Sequence, residues 1–184
     1  IVLSKAIDNQ SIMSNEHIDI PRRLTLDDKV IVDSKNYEKL TPQEIIAVSS
    51  QIGASKIALE LGYENLKRNY FEFGFTKPVS INFPSSAFGF MNIKDKVSDK
   101  ELASLGYGYG ITISPFQIAS AYSVFANDGI FKDFKILKNQ DDLSRRIISS
   151  ESANYILEAL RKVVIEGTGK AANHKGLFWG RKNR

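Results

Sequence analysis

Residues 41–61 read Thr-Pro-Gln-Glu-Ile-Ile-Ala-Val-Ser-Ser-Gln-Ile-Gly-Ala-Ser-Lys-Ile-Ala-Leu-Glu-Leu. Thr41 is a good helix N-cap, and Pro42 falls at the first helical position, where its missing N–H costs nothing. Glu44 lies three residues after the cap and can reach back to the cap's own N–H, which makes a capping box. Ile45, Ile46 and Val48 give this short helix an apolar side. Ala54, Ile57, Ala58 and Leu61 follow at i, i+3, i+4, i+7 spacing and predict a second helix. Gly62 can end it in the left-handed conformation. The junction between the two helices displays Ser49, Ser50 and Gln51: two hydroxyls and a primary amide on a mount anchored at both ends, which suits a polar site. The same residues have a structural alternative, in which Ser49 and Ser50 simply cap the second helix.

The rest of the composition narrows the chemistry. The chain has 184 residues, enough for one domain, with 42% apolar and 25% charged residues, ordinary proportions for a soluble globular protein. It has no cysteine, so disulfides and thiolate chemistry are excluded. His17 and His174 are far apart and lack any H-x-x-x-H or H-x-x-E partner, so neither a metal site nor a cofactor is expected. The net charge of +4 comes from basic residues scattered along the chain, apart from Arg181-Lys182-Asn183-Arg184. A spread of that kind is a solvated surface rather than a nucleic-acid footprint. No apolar run approaches the roughly 20 residues of a membrane span, and no signal-peptide pattern occurs. An opening of Ile1-Val2-Leu3 without an initiator Met reads as the interior of something longer.

Outward from the central stretch, residues 1–40 alternate apolar clusters with polar turns. Ile18-Asp19-Ile20-Pro21 and Val30-Ile31-Val32 read as short edge strands. Residues 63–73 look helical, with Tyr63, Leu66, Tyr70 and Phe73 on one side and Gly74 at the end. Residues 75–96 read as an irregular excursion. Ser98-Asp99-Lys100-Glu101 is a second capping box, opening a short helix up to Leu105. Gly106, Gly108 and Gly110 permit backbone geometry closed to bulkier residues. Ser114-Pro115-Phe116-Gln117 repeats the device of residues 41–44. Ile118, Ala121, Tyr122 and Phe125 follow on one face, and the expectation is that this is the most buried helix of the chain. Residues 133–148 read as a loop with a short strand at 134–137. Ser149 or Ser150 caps the last helix, whose stripe is Ala153, Ile156, Leu157, Leu160, Val163 and Val164, and Gly167-Thr168-Gly169 stops it. Gly167-Thr168-Gly169-Lys170 fails as a phosphate loop, because Val164 stands where its first glycine is needed and Ala171 where its Ser/Thr is needed. The Gly106–Gly110 run fails the dinucleotide pattern, and there is no G-x-S-x-G.

Three segments together resemble the transpeptidase domain of class B penicillin-binding proteins, with the septal, division-specific members as the nearest likeness. Ser49-Ser50-Gln51-Ile52-Gly53-Ala54-Ser55-Lys56-Ile57-Ala58 is similar to the family's S-S-N-V-G-x-x-K-[LI]-A. Gly108-Tyr109-Gly110, then Ser114-Pro115-Phe116-Gln117-Ile118-Ala119, Ala121-Tyr122 and Ala126-Asn127-x-Gly129, resembles G-Y-G-x-x-x-T-P-x-Q-L-A…A-Y…A-N-x-G. Glu166-Gly167-Thr168-Gly169-Lys170-Ala171-Ala172 looks like the G-T-G-x-x-A run before the last family motif. The likeness covers residues 1–182, read as a partial transpeptidase domain, with 179–184 as a candidate out-of-frame tail.

That resemblance implies a mechanism with three constellations. A serine in S-x-x-K attacks the D-Ala–D-Ala carbonyl, with the lysine taking its proton. The serine of S-x-N relays protons while its asparagine holds the substrate amide. K-T-G binds the substrate carboxylate, and backbone N–H groups form the oxyanion hole. No serine of this chain has a lysine three residues on, and no K-T-G occurs. Ser34-Lys35-Asn36 and Ser152-Ala153-Asn154 match S-x-N literally but lack its flanking context. The positional match is Ser49-Ser50-Gln51, which makes Ser49 the implied proton relay and Gln51 the implied substrate-binding amide. Glutamine has the donor and acceptor of asparagine one methylene further out. At the other end, Lys175-Gly176 resembles the pair that precedes K-T-G, and counting on puts Lys182 at the K-T-G lysine, although the text there is Lys-Asn-Arg. The nucleotides AAA-AAC-AGG encode Lys-Asn-Arg. Read one base later, AAA-ACA-GG encodes Lys-Thr-Gly, so a frameshift before the motif would account for the text from Trp179 to Arg184.

The expected fold class is therefore α+β: the mainly helical portion of a penicillin-binding, serine β-lactamase-like domain, with most of its antiparallel sheet missing. The resemblance implies peptidoglycan stem peptide (D-Ala-D-Ala) and β-lactams as ligands, division proteins as partners, and the periplasmic face of the bacterial inner membrane as the location of the full-length protein. Lacking two motifs, the chain alone is expected to be inactive. A non-catalytic remnant or partner-binding module, and a fragment of a serine β-lactamase or β-lactam sensor, are the other readings.

Overall fold

The computed structural model of the chain describes residues 1–76, 89–91, 94–132 and 144–174. Helices dominate. In chain order the elements are α1 (Val2–Asp8), β1 (Ile18–Asp19), β2 (Leu24–Leu26), β3 (Lys29–Ile31), β4 (Lys39–Leu40), α2 (Pro42–Val48), α3 (Gln51–Leu61), α4 (Tyr63–Glu72), β5 (Phe90–Met91), α5 (Asp99–Gly106), β6 (Ile111–Thr112), α6 (Pro115–Ala126), β7 (Ile130–Lys132), β8 (Ser144–Arg146) and α7 (Ser150–Ile165). The described strands form four antiparallel pairs, β1–β4, β2–β3, β5–β6 and β7–β8. The strand expected at 134–137 lies outside the described residues.

The helix starts follow local chemistry. Thr41 accepts from the Glu44 N–H at 3.4 Å, and the Glu44 carboxylate accepts from the Thr41 N–H at 2.8 Å. These contacts hold the Glu44 pKa below its ordinary value, the Thr41 N–H being the largest cause. At α6 the Ser114 hydroxyl accepts from the Gln117 N–H at 3.3 Å, and the Gln117 carbonyl oxygen accepts from the Ser114 N–H at 3.0 Å. Gln117 is only 1% exposed and does more than cap. Its oxygen also accepts from the Gly89 N–H, and its amide donates to the carbonyls of Gly74 and Phe75, so it ties the end of α4 to the β5 edge. At α5 the Glu101 carboxylate takes the N–H and hydroxyl of Ser98 and pairs with Lys94.

The Lys94 ammonium, then the Ser98 donors, hold the Glu101 pKa down at about 2. A carboxylate depressed in the folded state stabilises fully above its unfolded pKa and loses that contribution as pH falls toward the folded one. The start of α5 is thus expected to loosen between about pH 4.5 and about pH 2. Urea midpoints measured across that window should decline in the parent chain, with a shallower decline in Glu101→Gln. Equal slopes would mean that these hydrogen bonds are not made in solution.

The core is built on α3. Ile52, Ile57, Ala58 and Leu61 are buried, and the helix packs on α1, α2, α4 and α5. Two glycines permit this. A Cβ on Gly53 would sit 2.6 Å from the Ile45 side chain, so α2 folds back directly on α3. A Cβ on Gly106 would sit 2.6 Å from the Ala54 carbonyl oxygen, so the end of α5 rides on the α3 backbone. Gly62 ends α3 and starts α4 at φ 77° and ψ 157°, a positive-φ conformation outside the expected left-handed helical region and one that glycine alone adopts readily.

Residues 144–146, expected within a loop, form β8 against β7, and two further expectations need correction. Ile1-Val2-Leu3 is not an isolated apolar cluster: residues 2–8 form α1, which buries Val2, Leu3 and Ala6. Nor is α6 the most buried helix. It buries Gln117, Ser120, Ala121, Val124 and Phe125 against β7 and α7, while Ile118 and Tyr122 remain 44% and 48% exposed. The apolar residues wrap more of α6 than a single stripe, and no described element covers that outer side.

Candidate functional site

The Ser49–Gln51 corner is made by two helix ends that meet. Ser49 closes α2 with φ 58° and ψ 45°, a left-handed conformation seldom taken by residues other than glycine, asparagine and aspartate. The Ser49 and Ser50 N–H groups donate to the last carbonyls of α2, those of Ile46 and Ile45. Ser50 then caps α3, its hydroxyl accepting from the Gly53 N–H at 2.9 Å. The two serines therefore separate in role. Ser50 is buried and structural, whereas Ser49 is exposed.

Asp33 locks the corner from outside both helices. Its carboxylate accepts from the Ser50 hydroxyl at 2.5 Å, the Gln51 N–H at 2.7 Å and the Ile52 N–H at 3.1 Å. The first N–H groups of α3 are thereby satisfied by an anion placed at the positive end of the helix. Gln51, at the first position of α3, is thus fixed through its backbone, and its side chain is exposed.

A third element reaches the corner from the far end of the chain. After α7 the backbone passes so close to α2 that a Cβ on Gly167 would lie 2.1 Å from the Ala47 carbonyl oxygen. The next residue, Thr168, donates its N–H to that carbonyl at 3.1 Å. Its hydroxyl lies 3.2 Å from the Ser49 Oγ.

These groups open onto a groove of about 560 Å³. Ser49, Ser50 and Gln51 line one end of it, Gly106, Tyr107 and Gly108 another part, and Ile45, Ile57, Ile113 and Ile118 much of the remainder. Among the described residues no charged side chain lines it, so the corner presents neutral hydroxyl and amide groups to an apolar trough. Gly108 and Gly110 have φ of 88° and 84°, and the loop they form runs from α5 into β6. The sequence-derived residues Ser49 and Gln51 thus share one groove with the glycine loop. Lys182 lies outside the described residues.

The comparisons with known proteins agree with this geometry. The profile of the penicillin-binding protein transpeptidase domain matches residues 1–179. The chain belongs to the penicillin-binding protein transpeptidase family. It is 32% identical over 140 residues to the peptidoglycan D,D-transpeptidase FtsI of Buchnera aphidicola from Schizaphis graminum, covering 76% of this chain and 25% of that protein. It is 30% identical over 169 residues to the probable peptidoglycan D,D-transpeptidase PbpC of Pseudomonas aeruginosa, covering 91% of this chain and 30% of PbpC. The apo transpeptidase domain of penicillin-binding protein 3 from Burkholderia pseudomallei superimposes with a TM-score of 0.89 at 29% identity, over 95% of this chain and 54% of that one. The chain spans about a quarter to a third of the length of these curated relatives. The expected α+β, mainly helical transpeptidase portion is what the structure and its neighbours show.

Two residues of the Ser49–Gln51 corner carry no mark of their own in the sequence. Asp33 sits in a short polar link after β3, and nothing local marks it as the cap of a helix that starts at residue 51. Thr168 belongs to the Gly-Thr-Gly run after α7, and the signal for it is that family run itself, whose two glycines allow a close backbone approach.

Proposed function

We propose that this chain supplies the S-x-N-like corner of a peptidoglycan-cross-linking D,D-transpeptidase, with Ser49 as proton relay and Gln51 as the amide that holds the substrate backbone. The observation that carries the reading is the exposed Ser49 hydroxyl, held on a left-handed corner beside Gln51 in a groove shared with Gly108. A hydroxyl with Thr168 on one side and open space on the other can pass a proton without becoming charged itself. The ligands fitting this reading are a D-Ala-D-Ala stem peptide and β-lactams, and cell division is the setting. The full-length protein would work at the periplasmic face of the inner membrane. Residues 1–182 are read as part of one transpeptidase domain, and Lys182 as the residue at the substrate-carboxylate position, in a text where the alternative frame restores Lys-Thr-Gly. Sequencing the locus tests that last point, and a second frame that lacks a K-T-G refutes it.

The chain by itself has neither S-x-x-K nor K-T-G, so it is expected to form no covalent adduct with a fluorescent penicillin. A chimera carrying only the aligned part of this chain in place of the matching stretch of Pseudomonas aeruginosa PbpC, with the sequence of PbpC kept on both sides, should label. In that chimera Ser49→Ala is expected to slow acylation by about 100-fold or more, the usual range for a lost proton-transfer group. Gln51→Asn, which shortens the reach by one methylene, should speed it. Labelling of the 184-residue chain alone would overturn the inactive reading. A chimera that folds but is indifferent to Ser49→Ala would favour a non-catalytic remnant or partner-binding module.

A further inference from the structure

A second cavity, of about 530 Å³, lies beside the glycine loop and shares no lining residue with the groove. We infer that it is a binding site for a small molecule bearing a carboxylate on an apolar body. The inference is independent of the proposed catalytic role.

The charge arrangement selects the anion. Three lysines line the cavity. Lys94 is paired with Glu101, and Lys100 with Asp28 at 2.7 Å, so both are neutralised locally. Lys29 has no acidic partner among the described residues. Its ammonium donates to the Ser104 hydroxyl at 2.6 Å and stands 4.8 Å from the centre of the Tyr109 ring and 5.6 Å from that of Tyr107. An ammonium has three donors, and the contact with Ser104 uses one. The Ser104 hydroxyl is committed in turn to the Lys100 carbonyl, so it steadies the cation rather than acting as a nucleophile. A partly buried ammonium with spare donors, facing a cavity of ligand size, is a receptor for a carboxylate. The apolar body is selected by Val97, Leu105 and the ring of Tyr109 in the same lining.

The position gives the site a consequence. Tyr109 and Gly110 line this cavity, while Gly106, Tyr107 and Gly108 of the same loop line the groove. A ligand held by Lys29 would bear on the loop that forms part of the groove wall.

The test uses the ¹⁵N-labelled 184-residue chain and a matched pair of probes, N-acetylphenylalanine and its uncharged amide. The acid is expected to shift the Ser104, Tyr109 and Gly110 resonances saturably, with Kd on the order of 1 mM, while Ser49 and Gln51 stay unmoved. The amide should bind at least about tenfold more weakly, since it lacks the charge that Lys29 reads. Lys29→Met, which keeps the apolar stem, should lose about tenfold, and Lys29→Arg should retain affinity within about threefold. Should Lys29→Met fail to fold, the acid–amide comparison on the parent chain decides by itself. Equal affinity for the two probes, an unchanged Kd in a folded Lys29→Met, shifts centred on Ser49, or no saturation would each overturn the site. So would a parent chain without a dispersed spectrum, since it would hold no such cavity.

Discussion

Replacing Gly167 by alanine is expected to destabilise the chain by about 3 kcal/mol and to part Thr168 from Ser49. The added Cβ would stand 2.1 Å from the Ala47 oxygen, 2.9 Å from the Ala47 carbonyl carbon and 2.9 Å from the Val163 Cα. All three are backbone atoms, two on α2 and one on α7. No side-chain rotation can relieve the overlap, so the whole turn after α7 must move off α2. The bond from the Thr168 N–H to Ala47 goes with it, and so does the contact between the Thr168 and Ser49 hydroxyls. For a chain of this size the melting midpoint should fall by roughly 6–12 °C. Gly169→Ala is the internal control. The nearest atom there is a Val163 methyl at 3.0 Å, which can yield, and a loss of about 1 kcal/mol is expected. Hydrogen exchange at the Thr168 amide should accelerate in the first variant and little in the second. If Gly167→Ala melts within about 1 °C of the parent, the two segments do not approach this closely in solution.

What could be read from the sequence was local, and the reason is physical. The caps at Thr41 and Ser114 use residues three apart, so pattern and contact coincide. The end of α3 at Gly62 and the cap of α7 at Ser149 are equally short-range. The corner at Ser49–Gln51 was legible for the same cause, since it is only the junction of two legible helices. Its surroundings were not. Asp33 reaches it from 17 to 19 positions away and Thr168 from 119. Whether such residues meet depends on how the helices pack, which periodicity alone does not fix. The partial exposure of α6 is hidden from the sequence for a related reason. Ile118 and Tyr122 share an apolar pattern with Ala121 and Phe125, and a pattern cannot say which part of a broad apolar surface finds a partner in this chain. At α1, seven residues were too few for periodicity to separate a helix from an apolar cluster.

Asp33→Ala is expected to cost about 3 kcal/mol, and the loss should centre on the start of α3. Three hydrogen bonds end on this carboxylate. Hydrogen bonds to charged groups contribute about 1.5–3 kcal/mol each, which taken at face value would give a larger sum. Two features hold it down. Asp33 is only half-buried, so water can replace part of what is removed. Ser50 also keeps its own bond from the Gly53 N–H, so α3 retains one cap when the other is gone. What is lost outright is the anion at the helix N-terminus and the partners of the Gln51 and Ile52 N–H groups. Asp33→Asn separates these parts. Its carbonyl oxygen can still accept from both N–H groups, but it carries no charge and turns an amide donor toward Ser50, so about 1 kcal/mol is expected. The order Ala worse than Asn, with amide exchange rising first at Gln51 and Ile52, is the signature of a lock on the corner. If Asp33→Ala leaves those two amides as protected as before, the corner is held by its helices alone. Ser49 and Gln51 would then owe nothing to the link after β3.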